Sequence, residues 1–475
     1  MIFNSIDFLF FFPLVFIVYW LILKKNIRGR NLFLLSASYF FYGVWDYRFL
    51  ALIFICSLSD YWIGLKIDQS ASTKKRRTLL IASVAINIGI LGFFKYFNFF
   101  VSELIGLFEI FGVALHQPTL SIILPVGISF YTFQTLSYTL DIYRKELKPT
   151  TNAIDFFAFV SFFPQLVAGP IERARDLLPQ FETSKTIDYA QLRSGFFLIL
   201  WGLFKKIVIA DRLALYVDQI FANGSSAGGM PYTLGAVFFA IQLYVDFSAY
   251  SEIAIGIART LGFNLTTNFK RPYLSTSFSS FWKRWHITLS SWFKDYLYLP
   301  LGGNRQGKLN TTRNVLIVFL VSGLWHGASW NFVIWGAING LFLLFIDRFL
   351  TSNSIIGKLI SNLVVVSLWT LSLVFFRAPD LSRALQYLTE LGFSNLDAVF
   401  SVGPSEGEVK FSIGLLLLLA GVEIFSERRG EETLWVLKQI MLVRWAIYLL
   451  LLLGIIYFGA YGIDLNNKNF IYFQF

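Results

Sequence analysis

Apolar runs of about 20 residues recur along the whole chain, and this repeat restricts the possible folds more than any other feature. A helix needs about 20 apolar residues to cross the hydrocarbon core of a bilayer. Hydrophobic residues make up 56% of the chain and charged residues 15%, too few to cover a water-soluble surface. The runs do not alternate as barrel strands do. The sequence therefore predicts an all-α, polytopic integral membrane protein with roughly 11 to 14 membrane helices or half-helices.

The candidate spans divide a single predicted membrane domain, residues 1–475, into three parts. These parts are N-terminal helices (1–150), a core with two histidine motifs (151–350) and C-terminal helices (351–475). Proline and glycine inside Leu124 to Thr135 and inside Phe162 to Pro170 predict kinked or re-entrant helices that line a cavity. The spans are expected to begin near residues 7, 32, 48, 79, 97, 121, 154, 195, 232, 314, 331, 356, 412 and 442.

The charge of the chain is +11, and the excess lies in short loops rather than in one basic surface. Nucleic acid is therefore not an expected partner. The positive-inside rule places the basic loops in the cytoplasm, which puts the N-terminus outside. The residues concerned are Lys24, Lys25, Arg28 and Arg30 after the first span, and Lys66, Lys74, Lys75, Arg76 and Arg77 after the third.

Cysteine and histidine are too few for a disulfide scaffold or a metal centre. Cys56 is the only cysteine, so it has no intrachain partner and cannot form a multi-thiolate site. The three histidines are far apart in sequence, and a zinc site generally needs three or four ligands. We predict no metal site, and we interpret His116, in the loop-like stretch Ala114 to Pro118, as a structural or surface residue.

His326 lies well inside the apolar stretch Val315 to Leu350. Burial favours the neutral imidazole, which keeps one ring nitrogen able to accept a proton and so suits a general base. The alternative is a histidine that only hydrogen-bonds neighbouring helices, but ionisable groups at membrane depth favour a functional role. The pair Gly323 and Gly327 predicts close approach of another backbone or a ligand. Helical spacing predicts that Ser322, Gly323, Ser329 and Trp330 share the face of His326.

His286 lies in a segment, Phe281 to Leu297, whose pattern predicts one amphipathic helix in the membrane interface. The histidine falls at the border of the apolar stripe, where its ring could face a cavity. From spacing alone, a catalytic role and an interfacial hydrogen-bonding role remain equally open. The apolar stripe consists of Phe281, Trp285, Leu289, Trp292, Phe293 and Tyr296.

Two carboxylates, Asp246 and Glu252, interrupt the apolar stretch Ile241 to Arg259. A carboxylate at that depth must be protonated or paired. We favour a structural role for Asp246 over a chemical one, and Gln165 and Glu172 carry the same ambiguity. The candidate partners of the carboxylates are Lys205, Arg271, Lys283 and Arg284.

The two histidine motifs closely resemble the signature of the membrane-bound O-acyltransferases. The motifs run from Ser277 to Arg305 and from Ser322 to Trp330. The nearest branch is that of the alginate O-acetyltransferase membrane subunit, and the teichoic-acid D-alanyl transfer protein is a more distant relative. The resemblance extends from the N-terminus to about residue 350, with supporting matches at Ala37 to Leu50, Phe162 to Arg173 and Leu243 to Gly256.

The resemblance implies a helical funnel with re-entrant or interfacial helices, and it places His326 beside a tunnel that joins the two sides of the bilayer. It implies an enzyme that moves an acyl group, expected to be acetyl, to hydroxyls of an exported polysaccharide or cell-wall polymer. The donor is a cytoplasmic thioester, acetyl-CoA or acyl carrier protein, used as cosubstrate without a permanently bound cofactor. The implied partner is a periplasmic or extracellular acyltransferase, and the implied location is the bacterial inner membrane.

His326 is the expected general base, and His286 is the second expected catalytic residue. The oxyanion could receive hydrogen bonds from Trp325, Trp330, Ser322 or His286, which the sequence does not rank. The candidate substrate-binding residues are Asp246, Trp325, Trp330, Ser322, Trp285 and Gln165.

Two other classes of function fit parts of this pattern. A transporter or proton-coupled channel could use the buried Asp, Glu and His residues, although the sequence has no inverted repeat. A scaffold subunit could contain silent histidines while a partner performs the chemistry.

Overall fold

The computed structural model describes residues 1–23, 26–113, 115, 120, 122–222, 228–430, 433–461 and 470. Regular structure within these residues is helical, apart from one isolated β-bridge between Gly229 and Leu391. The first half contains α1 (Ile6–Ile17), α2 (Ile27–Asp46), α3 (Leu50–Gln69), α4 (Thr73–Leu91), α5 (Phe97–Ile110), α6 (Ile128–Tyr143), α7 (Ala153–Ser161), α8 (Phe163–Leu166), α9 (Ala174–Glu182) and α10 (Tyr189–Phe204). The second half contains α11 (Asp211–Ala222), α12 (Met230–Thr260), α13 (Phe278–Trp282), α14 (Ile287–Phe293), α15 (Lys308–His326), α16 (Trp330–Leu341), α17 (Ile355–Arg377), α18 (Leu381–Glu390), α19 (Glu406–Arg428) and α20 (Met441–Phe458).

The all-α prediction is confirmed, and a helix begins near each predicted span. Short polar side chains begin many of the helices by accepting a backbone N–H of the first turn, as Ser5, Asn152 and Ser405 do. Within the described residues, seven helical stretches are long and apolar enough to cross a bilayer: 27–69, 73–110, 230–260, 330–349, 355–377, 406–428 and 441–458.

The chain divides into two compact units, and the first consists of residues 1–192 and 258–266. Arg30 in α2 is only 1% exposed and donates to the carbonyl oxygens of Phe181 and Thr183. Its neighbour Asn31 donates to a carboxylate oxygen of Asp155 over 2.7 Å. The assignment of Arg30 to a basic loop is therefore wrong, because its guanidinium belongs to a buried network. Lys24 and Lys25 lie outside the described residues.

A second polar network in this unit joins α3, α4 and α6. Asp60 accepts hydrogen bonds from Ser83 Oγ at 2.6 Å and from Asn87 Nδ2 at 2.8 Å. Asn87 in turn accepts from Thr135 Oγ1 at 3.0 Å. Interhelical hydrogen bonds of this kind hold membrane helices together where the hydrophobic effect gives little preference for one contact over another.

The two proline- and glycine-containing segments both include non-helical backbone, but only the second is a broken helix as predicted. Helix α7 ends at Ser161, and only the short α8 follows before a buried non-helical stretch. Gly127 precedes α6 with a left-handed φ of 76°, so this break lies at a helix start rather than inside one. A Cβ atom on Gly127 would lie 2.5 Å from the carbonyl oxygen of Leu166, which shows that the two broken segments touch.

Glu172 gives the first unit a group that titrates near neutral pH. Its buried carboxyl group accepts from the Thr266 backbone N–H at 2.5 Å and from Thr266 Oγ1 at 3.0 Å. Burial outweighs these two hydrogen bonds and raises the pKa of Glu172 to about 7.

We expect the stability of the protein to fall as pH rises from about 4 to above 7 because of Glu172. The pKa of Glu172 is higher in the folded than in the unfolded chain, so the folded state binds more protons in this window. The full change is on the order of 3 kcal/mol. Thermal unfolding of the detergent-solubilised protein across this range should show the fall, and Glu172→Gln should flatten it. The control is Glu182→Gln, because Glu182 is exposed at the end of the following helix α9. If the pH dependence of stability in Glu172→Gln equals that of the wild type, the assignment to Glu172 is wrong.

The second unit consists of residues 193–257 and 267–475. Helices α15 and α16 cross closely at two glycines. A Cβ atom on Gly323 would lie 2.2 Å from the carbonyl oxygen of Phe332, and one on Gly336 would lie 2.3 Å from that of Phe319. The predicted close approach at Gly323 is confirmed, and the approaching backbone is that of α16.

Candidate active site

The predicted amphipathic helix over residues 281–297 is wrong, because the backbone breaks at His286. Helix α13 ends at Trp282, and His286 has the left-handed values φ 42° and ψ 55° before α14 begins. Backbone hydrogen bonds from Lys270 N–H to the Arg284 carbonyl and from Ile287 N–H to the Asn268 carbonyl, both 2.9 Å long, hold this turn against a preceding segment. These long-range bonds replace the helical ones that the pattern predicted.

His286 is enclosed by aromatic rings and by one amide. The residue is 1% exposed, and its ring stands perpendicular to Phe247 at a centroid distance of 4.7 Å. Its Nδ1 atom lies 3.1 Å from Oδ1 of Asn268. His286 lies outside the seven stretches that are long and apolar enough to cross a bilayer. Burial disfavours the charged imidazole and lowers the pKa of His286 to about 3. The imidazole is therefore neutral at physiological pH.

His326 is the last residue of α15 rather than a mid-helix residue. The following Gly327 is extended, with φ −162° and ψ 153°, and a Cβ atom there would lie 2.0 Å from the Phe332 ring. The prediction that Ser329 and Trp330 share the helical face of His326 is wrong for this reason. Trp330 begins α16 instead and is 54% exposed.

The ring of His326 packs among aromatic side chains of α16 and α17. It stands perpendicular to Trp335 at a centroid distance of 5.0 Å and lies 5.5 Å from Phe376. The residue keeps 5% of its surface exposed, and Ser322, one turn earlier, is also buried. This packing fixes the direction of the imidazole.

Trp325 connects the two histidine motifs. Its ring centroid lies 6.1 Å from that of His286 and 5.1 Å from that of His326. The indole is buried, so the two histidines approach each other across one aromatic side chain inside the protein. Residues that are 40 positions apart in sequence thus form a single site, as the functional interpretation of both motifs requires.

A polar cavity of about 60 Å³ adjoins this site through Asn268. The space is large enough for ordered water. Tyr244 OH donates to Glu423 at 2.6 Å at its wall, and Lys205 pairs with Glu252 at 2.9 Å. The polar side chains around the cavity include Lys205, Ser248, Ser251, Glu252, Asn268, Arg271 and Glu423.

Comparison with known proteins gives a consistent result. A family model described as "MBOAT, membrane-bound O-acyltransferase family" matches residues 36–372. A Pseudomonas putida protein named "Probable alginate O-acetylase AlgI" is 45% identical over 345 residues, 72% of this chain and 70% of the relative. A peptidoglycan O-acetyltransferase of Helicobacter pylori is 36% identical over 421 residues, 82% of this chain and 79% of the relative. A teichoic acid D-alanyltransferase of Streptococcus thermophilus is 30% identical over 247 residues, 49% of this chain and 59% of the relative.

The chain belongs to the membrane-bound O-acyltransferase family. The resemblance seen in the two histidine motifs is confirmed, and the protein is an integral membrane O-acyltransferase. This membership favours the enzyme over the transporter and over the scaffold subunit.

The buried carboxylates of this O-acyltransferase are paired with two consecutive lysines. Lys206 Nζ lies 2.7 Å from Asp246 and 2.9 Å from Asp211. Lys205 Nζ lies 2.9 Å from Glu252. Asp246 pairs with Lys206, which was not among the four predicted partners, whereas Lys205 pairs with Glu252 as predicted. Arg271 and Arg284 instead both bind Glu427, at 2.6 and 2.8 Å.

The remaining predicted residues lie in different surroundings. Trp285 stacks on Phe281 and packs against Trp369 in the aromatic core of the second unit. Gln165 belongs to α8 in the first unit, where its amide donates to the Phe159 carbonyl over 2.9 Å. His116 lies outside the described residues. In the part of the chain that the structure describes, no group of three or more His, Cys, Asp or Glu residues is arranged to hold a metal ion.

Sequence reasoning missed Asn268 and Thr288, which contact each other beside His286. Asn268 lies between the apolar stretch that ends at Arg259 and the first histidine motif, and its contact with His286 spans 18 positions. No helical or strand periodicity relates residues at that separation. The one available signal was the short polar sequence Thr266 to Arg271 next to the motif.

Proposed function

We propose that this O-acyltransferase transfers acetyl groups from a cytoplasmic thioester, either acetyl-CoA or an acetylated carrier protein, toward hydroxyls of an exported polysaccharide or cell-wall polymer. The observation that supports this most directly is the meeting of both histidine motifs at the buried Trp325. Acetyl is favoured because the relatives with higher identity are named for O-acetyl groups, whereas the D-alanyl relative is less similar. The proposed location is the inner membrane of a bacterium.

In the proposed reaction, an acceptor hydroxyl oxygen attacks the carbonyl carbon of the thioester. The carbon–oxygen bond forms, and the carbon–sulfur bond then breaks. His326 takes the hydroxyl proton on a ring nitrogen and returns it to the sulfur, so that an ester and a free thiol leave the site. Trp325 and Ser322 are the proposed donors to the oxyanion because both lie beside His326 in α15.

The location of the enzyme in a membrane supports the involvement of a partner protein on the far side. A charged coenzyme cannot cross about 30 Å of hydrocarbon, but an acetyl group can be passed to an acceptor on the other side. The first acceptor is proposed to be a hydroxyl of a periplasmic acyltransferase, which then modifies the polymer. The donor is a cosubstrate, and no permanently bound cofactor is needed.

Inverted membrane vesicles that contain the protein provide the test. Radiolabelled acetyl-CoA is added outside, where the cytoplasmic face is exposed, and the lumenal polymer and proteins are then analysed. We expect labelled O-acetyl groups in the lumen only when the protein is present. A parallel arm with an acetylated carrier protein distinguishes the two thioester donors. Absence of lumenal label with both donors would contradict the proposal, and solute flux without any donor would favour a transporter.

A further inference from the structure

The side-chain amide of Asn268 is buried and has a defined orientation. Its Oδ1 atom lies 3.2 Å from the backbone nitrogen of Thr288 and 2.9 Å from Thr288 Oγ1. A backbone N–H can only donate a hydrogen bond. The atom that faces Thr288 must therefore be the amide oxygen, which removes the usual ambiguity between the oxygen and nitrogen of an asparagine.

The same oxygen lies 3.1 Å from Nδ1 of His286. A carbonyl oxygen accepts and cannot donate, so Nδ1 must carry the hydrogen. The hydrogen bond on one ring nitrogen sets which nitrogen is protonated in a neutral imidazole. We propose that Asn268 is a positioning residue that holds His286 as the Nδ1–H tautomer, in which Nε2 is the unprotonated ring nitrogen.

The backbone around His286 supports a positioning role. His286 is one of the few described non-glycine residues with positive φ, a conformation that L-residues disfavour because Cβ approaches the carbonyl oxygen. The Asn268 carbonyl accepts from Ile287 N–H at 2.9 Å, so the same residue restrains both the backbone and the ring of the histidine. Strained backbone that is held by its surroundings is common at functional sites. The ring contact with Phe247 limits rotation further.

The sequence analysis left His286 open as an oxyanion donor, and this assignment decides that question. This step of the inference rests on the proposed function. With Nδ1–H directed to Asn268, the neutral ring has no second N–H to offer an oxyanion. His286 is therefore an acceptor, suited to hold a hydroxyl group or to receive a proton, and it is not an oxyanion donor. The oxyanion must then be stabilised by other groups, such as Trp325 or Ser322.

Nitrogen NMR of the full-length protein in lipid, with isotope-labelled histidine, measures the tautomer directly. The chain has three histidines, so the spectrum is simple, and His286→Gln identifies the signals of His286. We expect a protonated Nδ1 and an unprotonated Nε2 in the wild-type protein. A wild-type spectrum with the hydrogen on Nε2 would overturn the inference, whether or not any variant folds.

Two substitutions distinguish a positioning role of Asn268 from a purely structural one. Asn268→Leu has a similar volume but no acceptor, so the His286 signals should lose the pure Nδ1–H pattern. The turnover number should fall by up to about 100-fold, because a misplaced catalytic group loses much of its effect. Asn268→Asp keeps the acceptor, so it should retain the tautomer and most activity, and its carboxylate should move the acidic limb of the pH profile to higher pH.

Asn314→Leu is the matched control, because Asn314 is equally buried but donates to the Leu301 and Gly303 carbonyls instead. It should leave both the His286 signals and the turnover number unchanged. Unaltered His286 signals in Asn268→Leu would overturn the inference. If the wild-type protein shows the expected tautomer but transfers no acetyl group, the proposed function fails and the assignment of Asn268 stands.

Discussion

Replacement of His326 by alanine is expected to reduce acetyl transfer by about 100- to 10,000-fold while the protein remains folded. The imidazole is the proposed acceptor of the hydroxyl proton, and no other histidine lies in α15. His326→Gln should be equally inactive, since glutamine preserves the size and hydrogen bonding of the side chain but cannot take a proton. The measurement is the rate of label transfer in inverted vesicles, with thermal unfolding as the check on folding.

His116→Ala provides a control with the same residue type, because its sequence context predicts a surface or structural role. Its transfer rate should equal that of the wild-type protein. Transfer by a folded His326→Ala variant at a rate near that of the wild type would show that another group removes the proton. The proposed mechanism would then be wrong even if the protein is the acyltransferase.

Replacement of Lys206 by methionine is expected to destabilise the protein by about 3 to 5 kcal/mol. The lysine is buried between the carboxylates of Asp211 and Asp246, at 2.9 and 2.7 Å, so its loss removes two short ion pairs from a buried site. The double variant with Asp246→Leu should recover part of the loss, because it removes the more buried of the two carboxylates. Chemical or thermal unfolding in detergent measures both changes.

Lys410→Met is the matched control for an exposed ion pair. Lys410 binds Glu406 one helical turn away on the surface, where such pairs contribute about 0 to 1 kcal/mol. A destabilisation by Lys206→Met no larger than that of Lys410→Met would show that the buried pair contributes little. Such a result would also remove the structural explanation for Asp246.

The order of the helices was predictable because the bilayer sets the length of each apolar run. A helix starts near every predicted span, from α1 at Ile6 to α20 at Met441. The two histidine motifs were likewise visible as polar groups in apolar surroundings. Their resemblance to the family correctly predicted an O-acyltransferase. These features depend on local composition, which a sequence displays directly.

The side-chain partners were less predictable. Periodicity predicted a continuous helix through His286, but hydrogen bonds to residues 268–270 bend the backbone there. Lys206 pairs with Asp246 and Lys205 pairs with Glu252. Which lysine reaches which carboxylate depends on the π-helical turn that follows α10. Similarly, the helical face predicted for His326 ends at Gly327, where the backbone becomes extended. The Phe332 ring packs against this glycine at a distance that a side chain there would not allow.

The sequence by itself determined that this protein is a helical membrane protein, because the length of an apolar run is a local property of the chain. It also displayed two histidine motifs whose resemblance to the membrane-bound O-acyltransferases indicated the activity. Only the tertiary structure decided that both histidines meet at Trp325 and that Asn268 sets the proton position on His286. Those contacts join residues far apart along the chain, and their geometry depends on the packing of helices and turns that no local pattern records.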